Sequence, residues 1–125
     1  MQQHVGLIKN FTSEGTIEKR RFATFGAAEG KVKRAGIGDP ILGTTAVMGT
    51  DGADQRVDVC MDNIREIVFG GTVEFGDPLT SDAQGRAIKA EPAAGVNVPI
   101  AGRAMSAGVL GVIGHVHLNP SVMQG

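Results

Sequence analysis

His115 and His117 stand two residues apart in Gly114-His115-Val116-His117-Leu118, a spacing that turns both imidazoles to one face of a strand, where they could share a metal ion. Two ligands do not make a site, and a third would have to be His4, a carboxylate brought in by the fold, or a residue of another chain. The run Gly26-Ala27-Ala28-Glu29-Gly30-Lys31-Val32 has the outline of a phosphate loop. It holds one residue too few between its glycines to wrap phosphates, and Val32 stands where a Ser or Thr would hold Mg²⁺, so it reads as a plain hairpin turn. Asp51-Gly52-Ala53-Asp54, with Asp58 nearby, lacks the alternating oxygen ligands and closing Glu of a calcium loop and reads as a polar turn. The carboxylates Glu66 and Glu74, or Asp77 and Asp82, have nothing in the sequence that fixes them across a cleft. Ser13, Ser81, Ser106 and Ser121 lie in no nucleophile elbow, and Cys60 sits in an alternating apolar stretch as a small packed side chain would. The sequence therefore nominates no catalytic, cofactor-binding or metal-ligating set.

Composition narrows the partners. Twelve basic and 13 acidic residues leave a net charge of −1, and no Lys/Arg cluster is long enough to track a phosphate backbone. All five aromatics are Phe, which removes the Trp and Tyr platforms on which bases and sugars stack. A single cysteine excludes an internal disulfide and a multi-cysteine zinc site. No basic segment followed by an apolar one opens the chain, and no apolar run is long enough to span a bilayer, so a soluble protein made in a cytoplasm is expected.

The elements that would have to position any site are strands. Thirteen Val and nine Ile stand against five Leu, and 19 glycines punctuate the chain throughout. β-branched side chains lose rotamer freedom in helices and pack well on a pleated sheet. The expected fold is mainly β, a small β-barrel or β-sandwich of short antiparallel strands with an extended N-terminal arm. Residues 56–61 alternate cleanly, with Val57, Val59 and Met61 on one face; Asp62-Asn63 supplies a turn, and Ile64 to Phe69 reads as the second strand of a hairpin. The last strand runs from Gly114 to Leu118 and is expected to stop at Asn119-Pro120. Short helices over Thr80–Gln84 or Ala104–Gly108 are the most that the pattern allows. Residues 1–25 read as an arm and first strand, and residues 26–125 as a single barrel-like domain.

A weak internal repeat runs through this pattern. Gly30-Lys31-Val32-Lys33-Arg34-Ala35, Ile41-Leu42-Gly43 and Arg56-Val57-Asp58-Val59 parallel Gly85-Arg86-Ala87-Ile88-Lys89-Ala90, Ile100-Ala101-Gly102 and His115-Val116-His117-Leu118, offset by 55 residues at first and 59 later. Two such units could close into one barrel-like core with pseudo-twofold symmetry; chance likeness in a chain rich in Gly, Ala and Val is the alternative.

The most specific stretch is the chain of turns from Gly70-Gly71 through Gly76-Asp77-Pro78-Leu79-Thr80 to Gly85-Arg86-Ala87. Preceded by Arg56-Val57-Asp58-Val59 and followed by Val98-Pro99-Ile100-Ala101-Gly102-Arg103-Ala104 and Val116-His117-Leu118, it resembles the capsid cement or head decoration proteins of tailed bacteriophages. Relatives of that kind sometimes carry a RecA-type recombinase label, which the missing phosphate loop does not fit. Gly111-Val112-Ile113-Gly114-His115 departs from the turn usual before the last strand.

The resemblance implies a non-enzymatic virion protein, made in the host bacterial cytoplasm. It would bind the outer capsid surface at junctions between major capsid subunits and stabilise the shell. Its partners would be the major capsid protein and itself, as a homotrimer, with no nucleic acid, membrane, substrate or cofactor. Another virion or assembly module, such as a tail component, is the alternative; a small metal-binding β-barrel enzyme built on His115 and His117 is the remote one. Val5, Leu7, Ile8 and Phe11 are the residues expected to touch a partner, with Arg20 and Arg21 as pairs for its carboxylates. On this reading, deleting residues 1–11 weakens capsid association and leaves the domain folded.

Overall fold

The computed structural model describes residues 7–125, and every regular element among them is a strand. They are β1 (Ile8–Glu14), β2 (Phe22–Phe25), β3 (Lys31–Arg34), β4 (Gly43–Thr45), β5 (Ala53–Cys60), β6 (Ile64–Val68), β7 (Pro78–Ser81), β8 (Ala87–Lys89), β9 (Asn97–Ala104) and β10 (Ile113–Gln124). The mainly β expectation holds. The two stretches allowed as short helices are instead the end of β7 with its turn, and the end of β9 with a loop that pairs through Gly108 to Val73.

Strands β1–β5 form a closed barrel in the order β1-β3-β2-β4-β5, and β6–β10 form a second sheet in the order β6-β10-β9-β7-β8. Read from the other edge, the second sheet repeats the neighbours of the first, strand for strand. The repeat extends to single hydrogen bonds. Ile17 and Thr50 exchange backbone bonds as Val73 and Gly108 do; Ala35 N donates to Phe22 O as Ala90 N does to Pro78 O; Thr45 N donates to Arg21 O as Ala104 N does to Asp77 O. Met61 N donates to Leu7 O as Leu118 N does to Asn63 O. The weak sequence repeat is thus a duplicated five-strand unit, larger than the three strands legible in each copy, and its last strand is matched two residues away from the sequence alignment: Met61, not Val59, stands where Leu118 does.

The two units differ at one seam. In the first, β1 pairs with β3 in parallel, Thr12 opposite Lys31 and Ser13 opposite Val32, which closes the barrel and departs from the all-antiparallel expectation. In the second, that seam is a single parallel bridge between Phe69 and Ala87.

One steric device recurs in both copies. A Cβ on Gly43 would lie 2.2 Å from Cys60 O, and one on Gly102, where φ is +147°, would lie 1.9 Å from His117 O. Only glycine lets β4 press on β5, and β9 on β10, this closely.

Three expectations about connections need correction. Strands β5 and β6 do not pair: both edges of β5 are taken, by β1 and β4, so the left-handed turn at Asn63 (φ 67°) delivers β6 to β10 in the other sheet. β10 does not stop at Pro120, because the register shifts between Leu118 and Ser121 and the ladder asks no donor of the proline there. Residues 1–25 hold the expected first strand, but from Ile8 onward it is not a free arm. β1 pairs with β5 from Ile8–Cys60 to Glu14–Ala53, which makes it a barrel stave.

Each unit has its own core, but the cores are not confined to their units. Ile17, Ala23, Val32, Val57 and Val59 fill the first barrel, with Phe11, Leu42 and Met61 packed against them. The larger cluster around Ile67, Phe69, Val73, Leu79, Val116 and Leu118 also takes in Phe22, Ala35 and Ile41 from the first unit. The two units therefore share a core.

Candidate functional site

The segment nominated for partner contact lies partly outside the described residues, which begin after Val5. Leu7 is exposed, its N–H donating to Asp62 Oδ1 at 2.6 Å. Ile8 is exposed at the start of β1, whereas Phe11 is half-buried on the first core, with the Lys9 ammonium 5.5 Å from its ring centre. Leu7, just before β1, and Ile8 at its start thus face outward, and Phe11 faces inward.

Arg20 and Arg21 are engaged within the chain and tie the two units together. Arg20 Nε donates to Glu66 Oε1 at 3.0 Å, and Arg20 O accepts from Val68 N. Arg21 NH1 donates to Gln84 O at 2.9 Å, and Phe22 N donates to Gly85 O. Glu18 braces this junction through both carboxylate oxygens, each 3.0 Å from Arg34 NH1. Burial pushes the Glu18 carboxyl up, but its own backbone N–H and the Arg34 and Arg21 guanidiniums outweigh that and hold it below the ordinary value. The charged run Glu18 to Arg21 is a buckle between the repeats.

The loop lysine and the candidate carboxylates make contacts within the chain. The loop before Val32 is a hairpin turn in which Lys31 N donates to Ala28 O, and Lys31 Nζ pairs with Asp54 at 2.7 Å. Asp82 closes the Ser81–Gly85 loop: Oδ1 accepts from the N–H groups of Gln84 and Arg86, and Oδ2 accepts from Arg86 Nε. Glu66 is the Arg20 partner, and Asp77 Oδ2 accepts from Glu74 N. Cys60 is buried, which pushes its thiol pKa up. It stands on β5, in a different sheet from His115 and His117 on β10. Among the described residues, no group of three or more His, Cys, Asp and Glu is placed to hold a metal.

What the structure does present is apolar surface at loop tips. The β9–β10 connection exposes Val109, Leu110, Val112 and Ile113 in a stretch, Ala104 to Gly114, without a charged residue, and the matching β4–β5 loop exposes Val47 and Met48. Phe75 is 71% exposed on the turn before β7. Exposed apolar residues grouped in this way mark contact surfaces more often than isolated ones do. The sequence signal was there, an uncharged glycine-flanked run, but the same signal describes a buried strand.

The fold is a tandem pair of five-strand β units, the first closed and the second nearly so. Scanned against known protein families, the chain matches no family model, and no curated protein matches it. Among solved structures it is similar to the head fiber gp8.5 N base in bacteriophage phi29, at 16% sequence identity, across 95% of this chain and 100% of that one, with a TM-score of 0.72. At that identity the likeness is one of fold.

Proposed function

We propose that the protein is a structural component of a tailed-bacteriophage virion that binds the outside of the capsid at junctions between major capsid subunits and stabilises the shell, acting as a homo-oligomer of about three chains. The observation that carries this reading is the whole-chain likeness in fold to the base of a phage head fiber. The motif order from Arg56 to Leu118, which resembles capsid cement proteins, points the same way from the sequence.

The role is mechanical rather than enzymatic. A near-neutral β body with apolar loop tips suits many modest contacts spread over a junction. Once one subunit of an oligomer docks, its neighbours bind at high effective concentration, so no single contact has to be strong.

The reading is tested by sedimenting the purified protein with capsids of its phage that lack it. Saturable binding at a fixed ratio to the major capsid protein is expected. Protein left in the supernatant at every concentration would move the assignment to another virion partner.

A further inference from the structure

Two grooves occupy the same place in the two units. The first, about 180 Å³, has Thr44, Thr45, Ala46 and Cys60 on one wall, and on the other Ile64, Arg65 and Glu66, the opening strand of the following unit. The matched pairs Thr45–Val59 and Ala104–Val116, with Thr44–Cys60 and Arg103–His117 beside them, set the correspondence. Arg103, Ala104, Met105 and His117 stand where Thr44, Thr45, Ala46 and Cys60 stand, and all four line the second groove of about 420 Å³. The second groove is more than twice as large, and no described residue takes the part of Ile64 to Glu66 there. After Leu118 the chain continues along β10 to Gln124, whereas after Met61 it turns at Asn63 into β6.

The strand that fills the first groove has its own counterpart in the chain. Leu7 and Asn63 accept equivalent backbone hydrogen bonds, so Ile8, Lys9 and Asn10 correspond to Ile64, Arg65 and Glu66. Leu7, Ile8, Lys9 and Asn10 are all exposed.

We propose that the groove of the second unit receives the first strand of a second copy of this chain, head to tail, so that the junction between subunits repeats the junction inside each one. Leu7 and Ile8 of the incoming chain then cover the exposed Phe75 and Met105, which line the vacant groove. Asn10, whose side chain hydrogen-bonds Asp58 and Arg56 of its own chain, takes the place of Glu66, and the groove that receives the strand is rimmed by Arg103, His117 and Asn119, all hydrogen-bonding side chains. Gly76 sits where Arg20 sits in the first unit, both with positive φ, so the intermolecular junction lacks the Arg20–Glu66 ion pair. With no ion pair of that kind across it, the junction depends little on salt. Such an interface is heterologous, with different surfaces on its two sides, and closes into a ring when the rotation between subunits allows.

The inference rests on the oligomeric part of the reading above and not on capsid attachment. The test is the solution mass of full-length Ile8→Asp, Phe75→Asp and their equimolar mixture, by light scattering read through refractive index because the chain has no Trp or Tyr. Both positions are exposed, and Ile8→Ser and Phe75→Ser serve as milder replacements if either aspartate variant loses its circular dichroism spectrum. The expected result is an oligomer for the unaltered chain, a monomer for each variant alone, and a dimer on mixing, since one intact strand then meets one intact groove. A monomeric unaltered chain, variants of unaltered mass, or a mixture that stays monomeric each overturns the proposal. The last outcome would mark a symmetric contact instead. An oligomer that assembles this way and ignores capsids would leave the junction standing and refute the capsid reading.

Discussion

Replacing Gly102 by Ala probes the duplicated architecture at its tightest point. The new methyl would lie 1.9 Å from His117 O, and the atom it meets is backbone carbonyl, which cannot swing aside. The residue also sits at φ +147°, a conformation that costs a non-glycine residue about 1–3 kcal/mol. Overpacking against fixed neighbours adds about 1–3 kcal/mol. A loss of about 4 kcal/mol follows, a large share of a small domain's stability. At roughly 3–5 °C per kcal/mol for a chain of this length, the midpoint of thermal unfolding falls by about 15 °C. Gly43→Ala, whose methyl would lie 2.2 Å from Cys60 O, pays the steric cost without the positive φ and falls by about half as much. Gly111→Ala is the control: φ is +86° with nothing within 4 Å, so only the backbone cost of about 1–2 kcal/mol applies. Far-ultraviolet circular dichroism during heating ranks the three. Equal losses at Gly102 and Gly111, or an unaffected Gly43→Ala, would refute the close-approach argument and with it the matching of β4–β5 to β9–β10.

Other consequences are open to measurement. Phe22→Ala empties a fully buried site in the core shared by both units, so it should cost about 3–5 kcal/mol and lower a single unfolding transition; separate transitions for the two halves would contradict the shared core. Glu18 has a folded pKa below its ordinary 4.5, so its contribution is present at neutral pH and fades as pH falls from about 4.5 through the folded value. Glu18→Gln should therefore lower the urea midpoint at pH 7 by the equivalent of under about 1 kcal/mol, given its partial exposure, and the difference should vanish in strong acid. Cys60 should resist a thiol reagent in the native protein at pH 8 and react once urea unfolds it, since burial removes access and disfavours the thiolate. Deleting residues 1–11 should unfold the first barrel, because it removes Ile8 to Phe11 from their pairing with β5. A truncated chain of native circular dichroism would contradict that role for β1.

The sequence carried the class and many of the turns, because these depend on local residue chemistry. β-branched excess, Asn63 in a left-handed turn and Gly85 closing the loop before β8 were all legible. Partnering was not. Alternation in residues 56–61 says that a strand exists, but which strand lies beside it depends on edges occupied by distant segments, and β1 and β4 had taken both. β1 was obscured for a different reason: it turns Ile8 outward and buries Ser13, whose hydroxyl donates to Gly52 O and accepts from Gln55 N, so its hydrophobic pattern is not that of a half-buried strand. Arg20 and Arg21 read as pairs for a partner's carboxylates because the groups they engage, Glu66 and Gln84, lie in the other repeat. The open groove of the second unit could not be seen at all without the register that makes it equivalent to a filled one.

The most direct test of the central claim is electron cryomicroscopy of the phage beside capsids from a phage that lacks this protein. The account predicts extra density on the outer face of the shell, at junctions between major capsid subunits, each body fitted by the paired five-strand units. Density of that shape confined to the tail, or a shell identical in both particles, would contradict it.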